Sequence, residues 1–93
     1  MDTLTQEQVK AKTETIIEWS LVLYNDDFNT FDHVIDCLMQ YCDHELTQAE
    51  QCAWIVHTAG KCAVKHGNYV ELAAIGTSLL QQGLTIEIEQ SIL

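Results

Sequence analysis

The chain has 93 residues, 47% hydrophobic and 19% charged. That balance supports one small globular core and excludes both a disordered chain and a pair of domains. Fourteen acids face four lysines and no arginine, for a formal charge of −10. Phosphate groups are held mainly by Lys and Arg, and Lys10, Lys12, Lys61 and Lys65 form no patch in sequence. Nucleic acid and anionic membrane surfaces are therefore not expected partners, whereas a cationic ligand or a basic protein surface is favoured on encounter. No apolar run approaches the ~20 residues of a membrane span, and the first residues carry no signal-peptide core, so the chain is expected to be soluble and cytoplasmic.

Residues 1–15 are polar, with isolated Leu4 and Val9, and are expected to form a mobile tail ahead of a single core domain spanning 16–93. The run Ile16 to Tyr24 is rich in β-branched and aromatic residues and ends at the turn formers Asn25-Asp26-Asp27; it reads as a strand followed by a loop. Asn29-Thr30 supplies a helix N-cap with Asp32 in the first turn. Phe31, Val34, Ile35, Leu38 and Cys42 then recur at helical spacing, giving an amphipathic helix over 31–42. Asp43-His44-Glu45 breaks it. Thr47-Gln48-Ala49-Glu50 has the form of a capping box that starts a second helix. Ala49, Cys52, Ala53 and Val56 share one face of that helix, and Gly60 ends it.

Lys61 to Lys65 is a short candidate strand, and His66-Gly67-Asn68 is expected to turn the chain. Leu72, Ile75, Gly76, Leu79 and Leu80 mark a third helix closed by Gly83, in which Gly76, with Ala73 and Ala74, allows close approach to a neighbour. Leu84 to Glu89 alternates with period two, as a half-buried strand does. The resulting order is β-α-α-β-α-β. The fold class is α/β (α+β): a compact two-layer sandwich with a three-stranded antiparallel sheet and three helices on one face.

The cysteines Cys37, Cys42, Cys52 and Cys62 would be two disulfides in a secreted chain, but without a signal peptide they read as reduced thiols. A zinc site would draw on Cys37, Cys42, His44, Cys62 and His66. No CxxC pair exists and these spacings match no common structural zinc site, so neither a metal nor another cofactor is expected. No nucleophile has a recognisable signature near His57, and no phosphate-binding glycine loop occurs. Taken singly, Asn25-Asp26-Asp27 reads as a solvated turn and His57 as a cation suited to a helix C-terminus.

Together these residues carry a resemblance. The strand ending at Tyr24, followed by Asn25-Asp26-Asp27-Phe28-Asn29-Thr30-Phe31, looks like the start of the ClpS adaptor core, in which a strand leads into an NDD-aromatic-Thr-Pro-Met segment. Phe31 to Leu38 resembles that family's first helix, and Ala53 to Lys61 its second, with the VH-x-x-G ending at Val56, His57 and Gly60. The spacing from Asn25 to His57 fits without a gap, and the likeness covers roughly Trp19 to Glu89. It implies an N-end rule adaptor without enzymatic activity and with no catalytic residue. Such an adaptor holds proteins by a bulky hydrophobic N-terminal residue (an N-degron) and delivers them to a Clp-type AAA+ unfoldase and its peptidase. The residues matching the α-amino-binding set are Asn25, Asp27 and His57, with Asp26 beside them. Those matching the side-chain pocket are Phe31, Val34, Ala53, Val56 and Leu84.

The chemistry agrees with that assignment. A peptide α-amino group is mostly a cation with three donors at neutral pH. A carboxylate, an amide carbonyl and a neutral imidazole are matching acceptors, and an adjoining apolar wall contributes ~1.5–3 kcal/mol for a well-buried Leu or Phe. The chain departs from the family pattern in several places. Thr30 stands where the family has Pro, Phe31 and Ala53 where it has pocket methionines, and the likeness thins after Gly60, where Glu71 is the nearest acid to a partner-facing position. Two other readings stay open from sequence: a diverged ClpS-like interaction module without Clp delivery, and a small metal-binding protein using Cys42, His44, Cys62 and His66.

Overall fold

The structure is a computed structural model and describes residues 17–92. The expected tail, 1–15, lies outside the described residues. Six elements follow one another: β1 (Ile17–Tyr24), α1 (Phe31–Tyr41), α2 (Leu46–Ala59), β2 (Lys61–Gly67), α3 (Tyr69–Gln81) and β3 (Thr85–Ile92). The sheet order is β2-β1-β3 with both pairings antiparallel, and the three helices cover one face of it. This is the β-α-α-β-α-β sandwich expected from the sequence.

Alternation along β1 decides what each face holds. Leu21 and Leu23 point into the core with Ile86 and Ile88 of β3 opposite them, and with Leu38, Leu72 and Leu79 of the helices they are almost fully buried. Each such leucine contributes about 1.5–3 kcal/mol relative to exposure. On the open face the Ser20 hydroxyl is hydrogen-bonded to His66 Nδ1 (2.9 Å) and Ser91 Oγ (3.0 Å), and the Tyr24 hydroxyl donates to Glu89. That bond, more than any other cause, pushes the Tyr24 phenol up to about 12.

Three boundaries differ from the sequence reading. The second helix begins at Leu46, with Glu45 as N-cap and no side-chain capping bond. Asp43 takes a left-handed conformation (φ 57°) and reverses the chain early enough that the Ala49 amide bonds the Glu45 carbonyl directly (2.9 Å). Thr47 is therefore already inside the helix, where its hydroxyl cannot serve as the cap. The second strand runs on through His66 and Gly67 where a turn was expected, because a bulge at Val64 resets the register: Val22 pairs with Ala63, Leu21 with Lys65 and Ser20 with His66. The last strand reaches Ile92 by pairing along the whole of β1, a long-range partnership that local alternation does not reveal. Elsewhere the local signals hold. Thr30 caps α1 by accepting from the His33 amide (3.1 Å), and Gly60 ends α2 at φ 95°. Ala49, Cys52, Ala53 and Val56 form the buried face of α2.

His44 is the buried polar group that serves the bulge. It is 6% exposed, and its Nε2 donates to the Val64 carbonyl at 2.7 Å, supplying a partner where the ladder is interrupted. Cys37, Cys42 and Cys52 are buried free thiols and Cys62 is half-buried. Desolvation pushes the Cys42 thiol up to about 11 and, joined by a hydrogen bond with Cys62, the Cys52 thiol up to about 12. Cys42 and Cys52 thus sit in the core as protonated thiols.

At Gly76 α3 packs closely on the sheet. A Cβ there would stand 3.0 Å from Ile86 Cδ1 and 3.4 Å from Leu21 Cδ1. Gly76→Val forces these side chains off their positions and is expected to lower unfolding free energy by ~1–3 kcal/mol in urea titrations. Gly76→Ala, with its better helix propensity set against a milder clash, is expected to stay within ~1 kcal/mol of the wild type. A valine variant as stable as the wild type would show that α3 does not rest on the sheet at this point.

Candidate functional site

The loop between β1 and α1 is built around Asp26. One carboxylate oxygen accepts from the amides of Phe28 and Asn29, both at 2.9 Å. The other accepts from Asn29 Nδ2 (2.8 Å) and from the Thr85 hydroxyl (3.0 Å) at the start of β3. Asn29 Nδ2 also donates to the Gly83 carbonyl (2.9 Å), and His33 Nε2 to that of Gln82 (2.8 Å), so the turn before β3 is tied to the first residues of α1. On the other side, the Asn25 amide donates to the Gly60 carbonyl (2.9 Å), fastening the end of β1 to the end of α2. His57, in the last turn of α2, is thereby held next to the loop.

These ties enclose a cavity of about 280 Å³ lined by Asn25, Asp26, Asp27, Phe31, Val34, Ala53, Val56 and His57, with Asn29 and Thr30. Eight of the nine residues singled out in the sequence thus share one cavity, contributed by a loop and two helices. Leu84 is not among them. It is buried (3% exposed) and lines a much smaller adjoining space of about 20 Å³ with Leu23, Val34 and Val56, where it backs the wall instead of facing the opening. From sequence, Asn29 and Thr30 appear only as helix-start residues. The signal for Asn29 was available, since an Asp three residues ahead of an Asn at a turn is the pattern of a side chain folding back on its own loop.

The lining separates by burial. Ala53 and Val56 are buried and Val34 is half-buried, whereas Asn25, Asp27 and His57 are exposed and Phe31 is 42% exposed at the edge. The Phe31 ring stands edge-on to His57 at 6.0 Å and to Trp54 at 6.3 Å. The cavity thus offers an apolar interior beneath a rim of acceptors. The two adjacent aspartates are not equivalent. Burial works against the ionised form of Asp26, but the amides of Asn29 and Phe28 and the side chains of Asn29 and Thr85 outweigh it and hold the carboxyl below its ordinary value. Both Asp26 oxygens are thus engaged within the protein, and the exposed Asp27 is the carboxylate left facing the opening. Among the described residues no group of three or more His, Cys, Asp or Glu side chains is arranged to hold a metal ion, and no helix is long and apolar enough to cross a membrane.

Comparison with known proteins places the chain. The family described as "ATP-dependent Clp protease adaptor protein ClpS" matches residues 5–87, a span that begins inside the segment expected to be a tail. The ATP-dependent Clp protease adapter protein ClpS of Thermosynechococcus vestitus is 32% identical over 82 residues, covering 87% of this chain and 87% of that protein. A segment of human E3 ubiquitin-protein ligase UBR1 is 36% identical over 62 residues, which is 67% of this chain and 3% of the ligase. The structure of Agrobacterium tumefaciens ClpS2 bound to L-phenylalaninamide superposes with a TM-score of 0.78 at 15% identity, covering 82% of this chain and 99% of that one. The chain belongs to the ClpS family, described as adaptors of the ATP-dependent Clp protease.

Asp26 should be felt in stability. Its lowered carboxyl means that its contribution is complete above the ordinary carboxylate value of ~3.9 and is lost as the pH falls through the folded-state value. Asp26→Ala is expected to cost roughly 1–2 kcal/mol at pH 7, with the gap to the wild type narrowing as the pH is taken below that ordinary value. Urea unfolding of both proteins across that range checks this. A gap independent of pH would mean that the loop depends on the shape of Asp26 and not on its charge.

Proposed function

We propose that this chain is an N-degron adaptor: it binds proteins that begin with a bulky hydrophobic residue and delivers them to a Clp-type AAA+ unfoldase. The observation carrying this reading is that one cavity combines three exposed acceptors, Asn25, Asp27 and His57, with the apolar wall of Val34, Ala53 and Val56. Only a chain terminus presents an ammonium group one carbon away from a hydrophobic side chain. Asp27 accepts a charge-assisted bond from that ammonium, Asn25 accepts through its carbonyl, and neutral His57 accepts at a ring nitrogen. The side chain enters between α1 and α2. The ligand named for the superposed ClpS2, L-phenylalaninamide, has the same pairing of a free α-amino group and an apolar side chain, which supports the assignment. Asp26 acts through position, by holding the loop that presents Asn25 and Asp27. Leu84 acts as packing behind Val34 and Val56.

A direct test compares a peptide with a free N-terminal Phe against its N-acetylated form. Acetylation removes the charge and blocks the donors, and binding is expected to fall by at least about tenfold, as loss of a charge-assisted bond worth ~1.5–3 kcal/mol requires. Equal affinities would sink the α-amino assignment. Protonating His57 removes its acceptor and places a cation beside the ligand's own. Affinity of the free-amine peptide should therefore weaken as the pH is lowered far enough to protonate His57. In His57→Ala this acidic limb should disappear. A limb that persists unchanged in the variant would assign the titration to another group.

The gate residues set a preference. Phe31 at the cavity edge crowds a side chain branched at Cβ, so peptides beginning with Leu, Phe, Tyr or Trp should bind and those beginning with Ile or Val should bind poorly. Equal affinity for Leu-initial and Ile-initial peptides would show that the small Ala53 has relieved the constriction. Delivery is tested separately, by degradation of a Phe-initial substrate with a Clp unfoldase and its peptidase. Peptide binding without accelerated degradation would favour a recognition module working with other partners, a reading that the match to a UBR1 segment also supports.

A further inference from the structure

Trp54 is the largest side chain at the site with no part in the cavity. It is 58% exposed and does not line the pocket, yet its ring lies 6.0 Å from that of His57 and 6.3 Å from that of Phe31, both of which do. Phe31, Trp54 and His57 thus form a continuous three-ring cluster that extends the rim outward along α2, with Trp54 one turn ahead of His57. We infer that Trp54 is a subsite for the second residue of a bound N-terminal segment and that it selects a cationic side chain there. This inference rests on the reading of the cavity as the site of the first residue.

Reach and charge carry it. Consecutive Cα atoms are 3.8 Å apart, so a first residue whose ammonium sits among Asn25, Asp27 and His57 leaves the second residue at the rim. From there a long side chain can extend over an indole whose centre is 6.0 Å from the imidazole. Indole is the strongest of the aromatic faces in attracting a cation. Glu50 lies four residues before Trp54 on the same helical face, and Asp27 stands exposed at the opening. No lysine lines the cavity, and the whole chain carries a charge of −10. An acidic second residue would meet these same groups and be repelled. Arginine fits best, since its planar guanidinium can lie on a ring while its edge stays hydrated.

The test uses the full chain and labelled peptides that differ only at the second position after an N-terminal Phe: Arg, citrulline, Ala, Glu or Trp. Citrulline keeps the shape of arginine and lacks its charge. In the wild type the Arg peptide should bind about two- to fivefold more tightly than the citrulline peptide, the range for an exposed cation–aromatic contact, and the Glu peptide should bind most weakly. In Trp54→Ala the Arg-to-citrulline ratio should fall towards one, and Trp54→Phe should retain part of it. Circular dichroism confirms that these variants of an exposed helix position are folded. A wild-type ratio of one overturns the inference. So does a ratio that Trp54→Ala leaves unchanged, since the preference then belongs to the net charge, and so does tighter binding of the Trp peptide than of the Arg peptide. In each of these cases binding of the Phe-Ala peptide leaves the cavity assignment standing. Failure of every Phe-initial peptide to bind would remove that assignment as well.

Discussion

The arrangement of the site depends on one carboxylate. Asp26 accepts four hydrogen bonds, from Phe28, from both donors of Asn29, and from Thr85. In doing so it joins the end of β1, the start of α1 and the start of β3. A loop of exposed polar residues has no hydrophobic reason to hold a single shape. Here the shape is held by a charged acceptor with both oxygens occupied, and by the Asn25 amide, which fastens the same loop to Gly60 at the end of α2. The position of every acceptor at the cavity rim follows from these few bonds.

This division of labour separates two neighbours of identical chemistry. Asp26 and Asp27 differ only in what surrounds them. The carboxylate of Asp26 is consumed by the loop, whereas Asp27 stands exposed at the cavity. A binding carboxylate must remain under-satisfied in the free protein, which costs little at an exposed position and much at a buried one. The cavity follows the same logic: its exposed edge carries the polar groups and its buried interior is apolar, so no unpartnered charge is enclosed before a ligand arrives.

At two of the departures from the family pattern that the sequence suggests, Thr30 and Phe31, another interaction holds the residue in place. Thr30 occupies the place of a proline and caps α1 through its hydroxyl, so the helix start is held by a hydrogen bond in place of a ring. Phe31, larger and stiffer than a methionine, is braced edge-on by Trp54 and His57. Ala53, buried on α2, leaves room inside the cavity that a longer side chain would fill. The frame itself is retained, as the superposition with a TM-score of 0.78 shows.

Much of the fold was legible from sequence because its signals are local. The apolar spacing of α1, the Gly60 stop, the Thr30 cap and the alternation before Glu89 each depend on residues a few positions apart, and the structure places all of them as read. The site was legible in a different way: Asn25 to Asp27 and His57 are unremarkable one by one, and only their joint likeness to a known family linked them. Three things required the tertiary structure. The extent of β2 and β3 is set by pairing with β1 and by the Val64 bulge, which are contacts between distant segments. The start of α2 is set by the left-handed backbone at Asp43, for which no glycine or proline gave notice. The unequal roles of Asp26 and Asp27, and the removal of Leu84 from the cavity to its backing, depend on which way side chains point once three elements converge. Sequence determined which acceptors and apolar side chains stand near the loop and along α2; folding decided which of them line the cavity and which are spent holding it together.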